Sequence, residues 1–233
     1  MNFLSQISDD IFNLVYPNIC QACGDELVGN ENMICITCWQ TMPRTNFHLQ
    51  LTNPTKEKLL ERVPISNAIA MYYFNKDTRI QSCLHAIKYG SKKEIGIELG
   101  KRYGNELTST KWMNEIDVLI PIPLSKQKLK SRGYNQSEVI ALGLNSELNI
   151  PLDIQSIIRR KNTQSQTTMT IAERLENVKD AFEIKNPSHL EGKHVLLIDD
   201  VFTTGATLSS CANEIFKVPN TKVSILTLAY AIV

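Results

Sequence analysis

Residues 194–208 read His-Val-Leu-Leu-Ile-Asp-Asp-Val-Phe-Thr-Thr-Gly-Ala-Thr-Leu, an order that few folds accommodate. The aliphatic run 195–198 is continuous rather than alternating, which is the pattern of a parallel strand buried on both faces. Asp199 and Asp200 follow at its carboxyl end, where open α/β sheets place their ligands. A short loop then enters a helix whose buried stripe is Leu208, Cys211, Ala212, Ile215 and Phe216. Loop amides running into a helix N-terminus form a concave, positively polarised anion site. Gly205 lets the backbone turn and approach a ligand closely. Thr203, Thr204 and Thr207 add hydroxyl donors on either side of Ala206. A phosphate monoester fits such a cradle, and the two upstream acids sit where vicinal hydroxyls of an attached ribose can hydrogen-bond to them. An Asp-Asp pair alone is more often a helix cap or a metal-binding pair; the whole run is far more specific.

The remaining pattern predicts an α/β fold, a parallel sheet flanked by helices. A second buried strand is expected at 117–122 (DVLIPI), one or two strands at 65–74, a short one at 153–159 and a last one at 222–230. Between them, helical periodicity marks a helix from a cap at Asp77 to Gly90, with Ile80, Leu84 and Ile87 on one face, and further helices at 92–109, 135–147 and 206–217. Strands alternating with helices imply parallel pairing. The net charge of +1 gives no bulk attraction to nucleic acid or membrane, so any such role must come from a local patch. No stretch approaches the roughly 18 apolar residues needed to span a bilayer. The opening MNFLSQISDDIF has Asp9 and Asp10 and no basic flank, which argues against a signal peptide. A cytoplasmic protein without membrane insertion is expected.

Strand 117–122 leads into a stretch holding Lys126, Lys128, Lys130 and Arg132 and no acid before Tyr134. It reads as a basic loop in which Gly133 can turn amides inward, suited to a leaving pyrophosphate; taken alone it would equally be a solvated basic surface. The polar segment 161–180 is expected to begin as a mobile loop that closes over a bound diphosphate and excludes water. Thr170 and Glu173 there form a capping box that starts a helix.

Four of the six cysteines fall within nineteen residues, as Cys20-x2-Cys23 and Cys35-x2-Cys38 separated by eleven residues. Two such knuckles let four sulfurs reach one tetrahedral Zn2+, and Gly24 permits the tight turn after the second thiolate. Redox dithiols are the competing reading; paired CxxC motifs with turn chemistry favour structural zinc. His48 reads as a surface residue rather than a further ligand, and Cys83 and Cys211 as core. The expected division is a zinc module at 1–60 and a larger domain at 61–233.

In this order, the CxxC pairs, Ile87-Lys88-Tyr89-Gly90, Arg132-Gly133-Tyr134-Asn135-Gln136, the Gln166…Glu173-Arg174…Asn177…Ala181-Phe182 run and the Asp-Asp/Thr-Thr-Gly-x-Thr motif resemble the ComF/GntX-like family. These are phosphoribosyltransferase-domain proteins linked in many bacteria to natural competence. Thr168 and Asp180 depart from that pattern, standing where glycine is common, as does Met169 in place of leucine. The resemblance implies a type I phosphoribosyltransferase fold with an N-terminal zinc ribbon, binding phosphoribosyl pyrophosphate (PRPP) or a related ribose-5-phosphate ligand together with Mg2+. It implies that Asp199 and Asp200, the catalytic pair, hold the ribose hydroxyls and that residues 203–207 hold the 5′-phosphate. Lys88, Tyr89, Arg132, Gly133, Tyr134, Asn135, Gln136 and Arg174 become further substrate-binding residues. Two functions remain open. One is a phosphoribosyltransferase, its acceptor unassigned, associated with DNA uptake. The other is a non-catalytic protein that senses PRPP or a nucleotide, or holds single-stranded DNA beside a competence helicase or translocase, with Tyr89, Tyr134 and Phe202 as stacking aromatics.

Overall fold

The structure, a computed structural model, describes residues 18–76, 78–160 and 181–232. Four strands, β1 (Ala68–Phe74), β2 (Val118–Pro121), β5 (His194–Phe202) and β6 (Lys222–Ala231), form one sheet in the order β1–β6–β5–β2. Every pairing in it is parallel. The continuous aliphatic run puts β5 in the interior of the sheet, where Val195 to Ile198 are completely buried. It pairs with β2 on one side, Pro121 opposite Ile198, and with β6 on the other, Asp199 opposite Thr227. The strand runs to Phe202, beyond the 194–199 that the sequence predicts, and so carries both acids.

Helices α3 (Arg79–Tyr89), α4 (Lys93–Leu107), α6 (Gln136–Leu148) and α7 (Ala206–Ile215) cover the sheet, close to their expected spans. Ile80, Cys83, Leu84 and Ile87 form the buried stripe of α3, and Gly90 ends it. The cap expected from Asp77 lies outside the described residues, and Thr78 stands at the N-cap position. Two short strands, β3 (Ile157–Arg159) and β4 (Phe182–Ile184), pair antiparallel as a separate ribbon. β3 is thus shorter than the 153–159 expected and stands outside the main sheet. The capping box at Thr170 and the polar run 161–180 lie outside the described residues.

Three glycines of α4 explain how closely α4 and α6 approach. Gly96, Gly100 and Gly104 recur every fourth residue and form a flat strip on one helix face. A Cβ on Gly100 would lie 2.2 Å from the carbonyl oxygen of Ile140, and one on Gly143 would lie 2.1 Å from that of Ile97. Both obstacles are backbone, so a methyl group can enter only if the helices part. Gly100→Ala is expected to cost about 1–3 kcal/mol; an unchanged melting temperature in that variant would show that the helices do not pack in this way. Because α6 also carries residues of the candidate site, ligand binding should weaken in parallel.

Residues 18–42 hold the cysteines and α1 (Ile36–Thr41). The guanidinium of Arg102 from α4 lies over the Trp39 ring at 3.8 Å, tying this module to the domain. The stretch after it follows the sheet edge: Thr45 N–H donates to Met71 O, and Asn53 Nδ2 donates to Ala68 O. Its helix α2 (Pro54–Leu60) places Leu59 in the core.

Candidate functional site

The site forms at the carboxyl end of β5. Asp199 accepts hydrogen bonds from the Ser137 hydroxyl at 2.9 Å and from its neighbour's own N–H, Asp200 N, also at 2.9 Å. Burial, then the charge of Asp200, pushes the Asp199 carboxyl up to about 7, while the Asp200 N–H, Ser137 and Lys88 pull the other way. Asp200 pairs with Lys88 Nζ of α3 at 2.7 Å. Lys88 came into the reading by resemblance; the geometry brings it against the acids. Ser137 was not singled out in the sequence, and no local signal marks it.

The raised Asp199 carboxyl sets a pH dependence. Between its unfolded value near 4 and its folded value near 7, the native state binds the extra proton, so stability falls as pH rises through that window. Asn can accept both hydrogen bonds without carrying charge. Asp199→Asn is therefore expected to melt higher than the parent at pH 8 and level with it at pH 4; equal shifts at both pH values would contradict this.

Next comes the loop. Thr203 and Thr204 are exposed, Gly205 is buried, and α7 begins at Ala206. Gly205 has φ of +74°, a conformation that disfavours side chains. A Cβ there would also meet the Phe202 ring at 2.9 Å and Leu59 Cδ2 at 3.2 Å. Only glycine satisfies both conditions, which explains the glycine of the motif. The first amides of α7 lack intrahelical acceptors and carry the positive end of the helix dipole. The Thr204 hydroxyl accepts from Ala206 N–H at 3.4 Å.

On the other side of the acids the basic stretch is a helix, α5 (Lys126–Arg132), and not the loop expected. Ser125 caps it by accepting from Lys128 N–H, and Gly133 at φ of +77° ends it, so both termini carry ordinary helix signals. Lys128 and Arg132, four residues apart, share one face, and Lys126 and Lys130 share another. Burial, then Arg159 and Arg132, hold the Lys128 ammonium below its usual range, with Asp200 opposing. Arg132 donates to Gln136 Oε1 at 2.7 Å and lies over the Tyr89 ring at 5.7 Å. Gln136 is buried and holds Arg132 in place. Asn135 caps α6 by accepting from Ser137 N–H and donates to Ile122 O at 3.0 Å. Thus Asn135 and Gln136 are committed to scaffold partners.

The three candidate stacking aromatics separate. Tyr134 is buried with its hydroxyl donated to Ile87 O. Phe202 is fully buried and stacks on Tyr230 with centroids 5.7 Å apart. Tyr89 is 67% exposed and alone of the three can receive a base. Arg174, Gln166, Glu173 and Asn177 lie outside the described residues. Hollows of about 340 and 380 Å³ lie elsewhere among the described residues, one beside β4 and one between the cysteine module and α4.

In the N-terminal module the sulfurs of Cys20, Cys23, Cys35 and Cys38 all lie within 4.8 Å of one another. Cys20 to Cys38 and Cys23 to Cys35 are each 3.8 Å apart. That is far beyond a disulfide of about 2.05 Å and matches the edge of a tetrahedron with metal–sulfur bonds of about 2.3 Å, roughly 3.8 Å. Burial drives the Cys23 thiol up to about 11 and that of Cys38 well beyond the thiol range. Burial also acts on Cys20, but backbone N–H groups led by that of Cys35 bring it down to about 7. The cluster can hold a metal ion and is compatible with a zinc ribbon. Gly24 turns the knuckle at φ of +84°. Among the described residues no histidine joins the cluster; His48, half-buried rather than on the surface as expected, faces the Tyr103 ring. Cys83 and Cys211 are fully buried.

Residues 134–232 match the model of the phosphoribosyl transferase domain, and a parallel sheet with an acidic pair and a glycine-turned loop at the end of an interior strand is compatible with that match. The chain is 24% identical over 219 residues to DNA utilization protein YhgH of Shigella flexneri, covering 88% of this chain and 93% of that protein. It is 28% identical over 214 residues to competence protein ComFC of Bacillus subtilis strain 168, covering 89% and 84%. Competence protein F of Haemophilus influenzae is 32% identical over 117 residues, covering 49% and 51%. These relatives support the place of the chain among ComF-like proteins, the family that its motifs resemble. Among the described residues no helix is long and apolar enough to cross a membrane.

Proposed function

We propose that this site binds PRPP with Mg2+ and that the protein is a phosphoribosyltransferase-type protein of the DNA-uptake machinery. The observation that carries the reading is the succession Asp199, Asp200, exposed Thr203 and Thr204, Gly205 at positive φ and the start of α7, all at one end of one strand. In this reading the amides and hydroxyls of 203–207 hold the 5′-phosphate, and the two carboxylates take the ribose hydroxyls, Ser137 fixing the orientation of Asp199. Asn135 and Gln136 act through α6 and Arg132 rather than on the ligand. Carboxylate oxygens suit Mg2+, which would sit with the diphosphate beside Asp200 and supply charge neutralisation for the leaving group. Lys88, Lys128 and Arg132 face that side and stabilise the same charge. Among the described residues no Ser/His/Asp-type constellation adjoins the site, and the chain works by positioning. The cysteine module holds Zn2+ as a structural ion.

The names of the relatives support an association with competence and DNA utilization, and hence single-stranded DNA and a translocating helicase as partners. A direct grip on DNA at this site draws less support, since two of its three aromatics are buried. Salt separates the ligands. PRPP binding should require Mg2+ and change little between 50 and 200 mM salt, whereas binding through several phosphates would fall by orders of magnitude over that range. A steep salt dependence with no need for Mg2+ would replace this reading with the DNA one.

A further inference from the structure

We propose that Arg159 is a ligand-binding residue of this site, an oxyanion receptor whose guanidinium fork takes a carboxylate or phosphate group of the bound substrate. The inference rests on the site reading given above.

Two arginines stand side by side at the end of β3, and the alternation of a strand sends them to opposite faces. Arg160 is exposed and pairs with Glu183 of β4 at 2.7 Å. Arg159 stands opposite Phe182 in the ribbon and lies over its ring, 5.4 Å from the centroid. Phe182 is itself buried, so the guanidinium has a fixed aromatic neighbour on one side. Arg159 is half-buried, and among the described residues its five N–H donors have neither a hydrogen-bond acceptor nor an ion pair. A guanidinium beside a fixed ring, partly desolvated and with its donor edges unmet, suits a planar two-oxygen partner.

The surrounding charge points the same way. Arg159 interacts electrostatically with Asp199 and with Lys128, and Lys128 in turn with Arg132 and Lys88. Lys88, Lys128 and Arg159, from α3, α5 and β3, with Arg132 beside Lys128, thus act on the two carboxylates. One of these is already paired with Lys88, and the other sits in surroundings that disfavour its charge. Such an excess of positive charge is relieved by an anion. Two parts of a transferase substrate carry one: the diphosphate of PRPP, and a carboxylate on a planar acceptor.

The test titrates the intact protein, as wild type, Arg159→Gln and Arg159→Lys, with ribose 5-phosphate, with inorganic pyrophosphate plus Mg2+, and with benzoate as a planar carboxylate. Ribose 5-phosphate should bind all three proteins alike, which also shows that the variants fold. Arg159→Gln should lose about tenfold or more in affinity for an oxyanion probe, and Arg159→Lys should recover little of it, because an ammonium cannot make the paired bonds. A loss with pyrophosphate assigns Arg159 to the diphosphate; a loss with benzoate alone assigns it to the acceptor. Unchanged affinity for both probes, or a wild type that takes neither while binding ribose 5-phosphate, overturns the proposal and leaves the sugar-phosphate site standing. A wild type that fails to bind ribose 5-phosphate overturns the site reading itself.

Discussion

Stripping the metal with a chelator, or replacing Cys38 with serine, should unfold residues 18–42 and lower the melting temperature of the whole protein. Structural zinc in a four-thiolate site contributes on the order of 10 kcal/mol to folding at neutral pH, more than any single apolar contact in the module. Few such contacts are available to replace it: the buried apolar residues there are Ala22, Ile34, Trp39, Met42 and the cysteines other than Cys23. Without a cation, Cys23 and Cys38 must stay protonated in a cluster only 4.8 Å across, and nothing then fixes its geometry. The damage should spread through the stacking of Trp39 under Arg102 onto α4, whose far side packs on α6 and its site residues. Metal analysis should find about one zinc per chain, with a loss of Trp fluorescence structure on chelation. A metal-free protein with the parent melting curve would remove the ion from the account.

The second large effect falls on the acids. Each carboxylate receiving ligand hydroxyls contributes a charge-assisted hydrogen bond of about 1.5–3 kcal/mol, so Asp200→Ala should lose about tenfold to a hundredfold in affinity for ribose 5-phosphate, and the double Asp199→Ala/Asp200→Ala variant more. Asp200→Ala also frees Lys88 from its 2.7 Å pair, which leaves an extra cation beside the ligand. Affinity for inorganic pyrophosphate without Mg2+ should therefore hold or rise in the single variant while that for the sugar phosphate falls. Parallel loss of both would mean that Asp200 organises the site instead of gripping the ribose, and equal affinity of parent and double variant would exclude the acids from binding.

Much of this site was legible in the sequence because its pieces are contiguous. An unbroken aliphatic run identifies an interior parallel strand, and the loop after it is legible because, in the proposed reading, the acids, threonines and glycine between Asp199 and Thr207 would act close to their own backbone. The cysteine pairs were legible for the same reason. What escaped depends on contacts across the fold. Residues 126–132 carry no apolar stripe, so α5 went unread although Ser125 and Gly133 mark both its ends. β3 and β4 have three residues each and are far apart in the chain, too little pattern to reveal a ribbon. Ser137 reaches Asp199 across the fold, from α6 to the end of β5. Tyr134 and Phe202 look like free aromatics in sequence, and it is packing against Ile87 and Tyr230 that removes them from the surface. The spacing of Gly96, Gly100 and Gly104 was visible and marks a close helix contact, but not which helix fills it.

The most direct measurement is a crystal structure of the protein with PRPP and Mg2+. The account predicts the 5′-phosphate within hydrogen-bond distance of the amides of residues 203–207 and the ribose hydroxyls on Asp199 and Asp200. A ligand bound elsewhere, or a sugar phosphate that leaves those residues untouched, would contradict it.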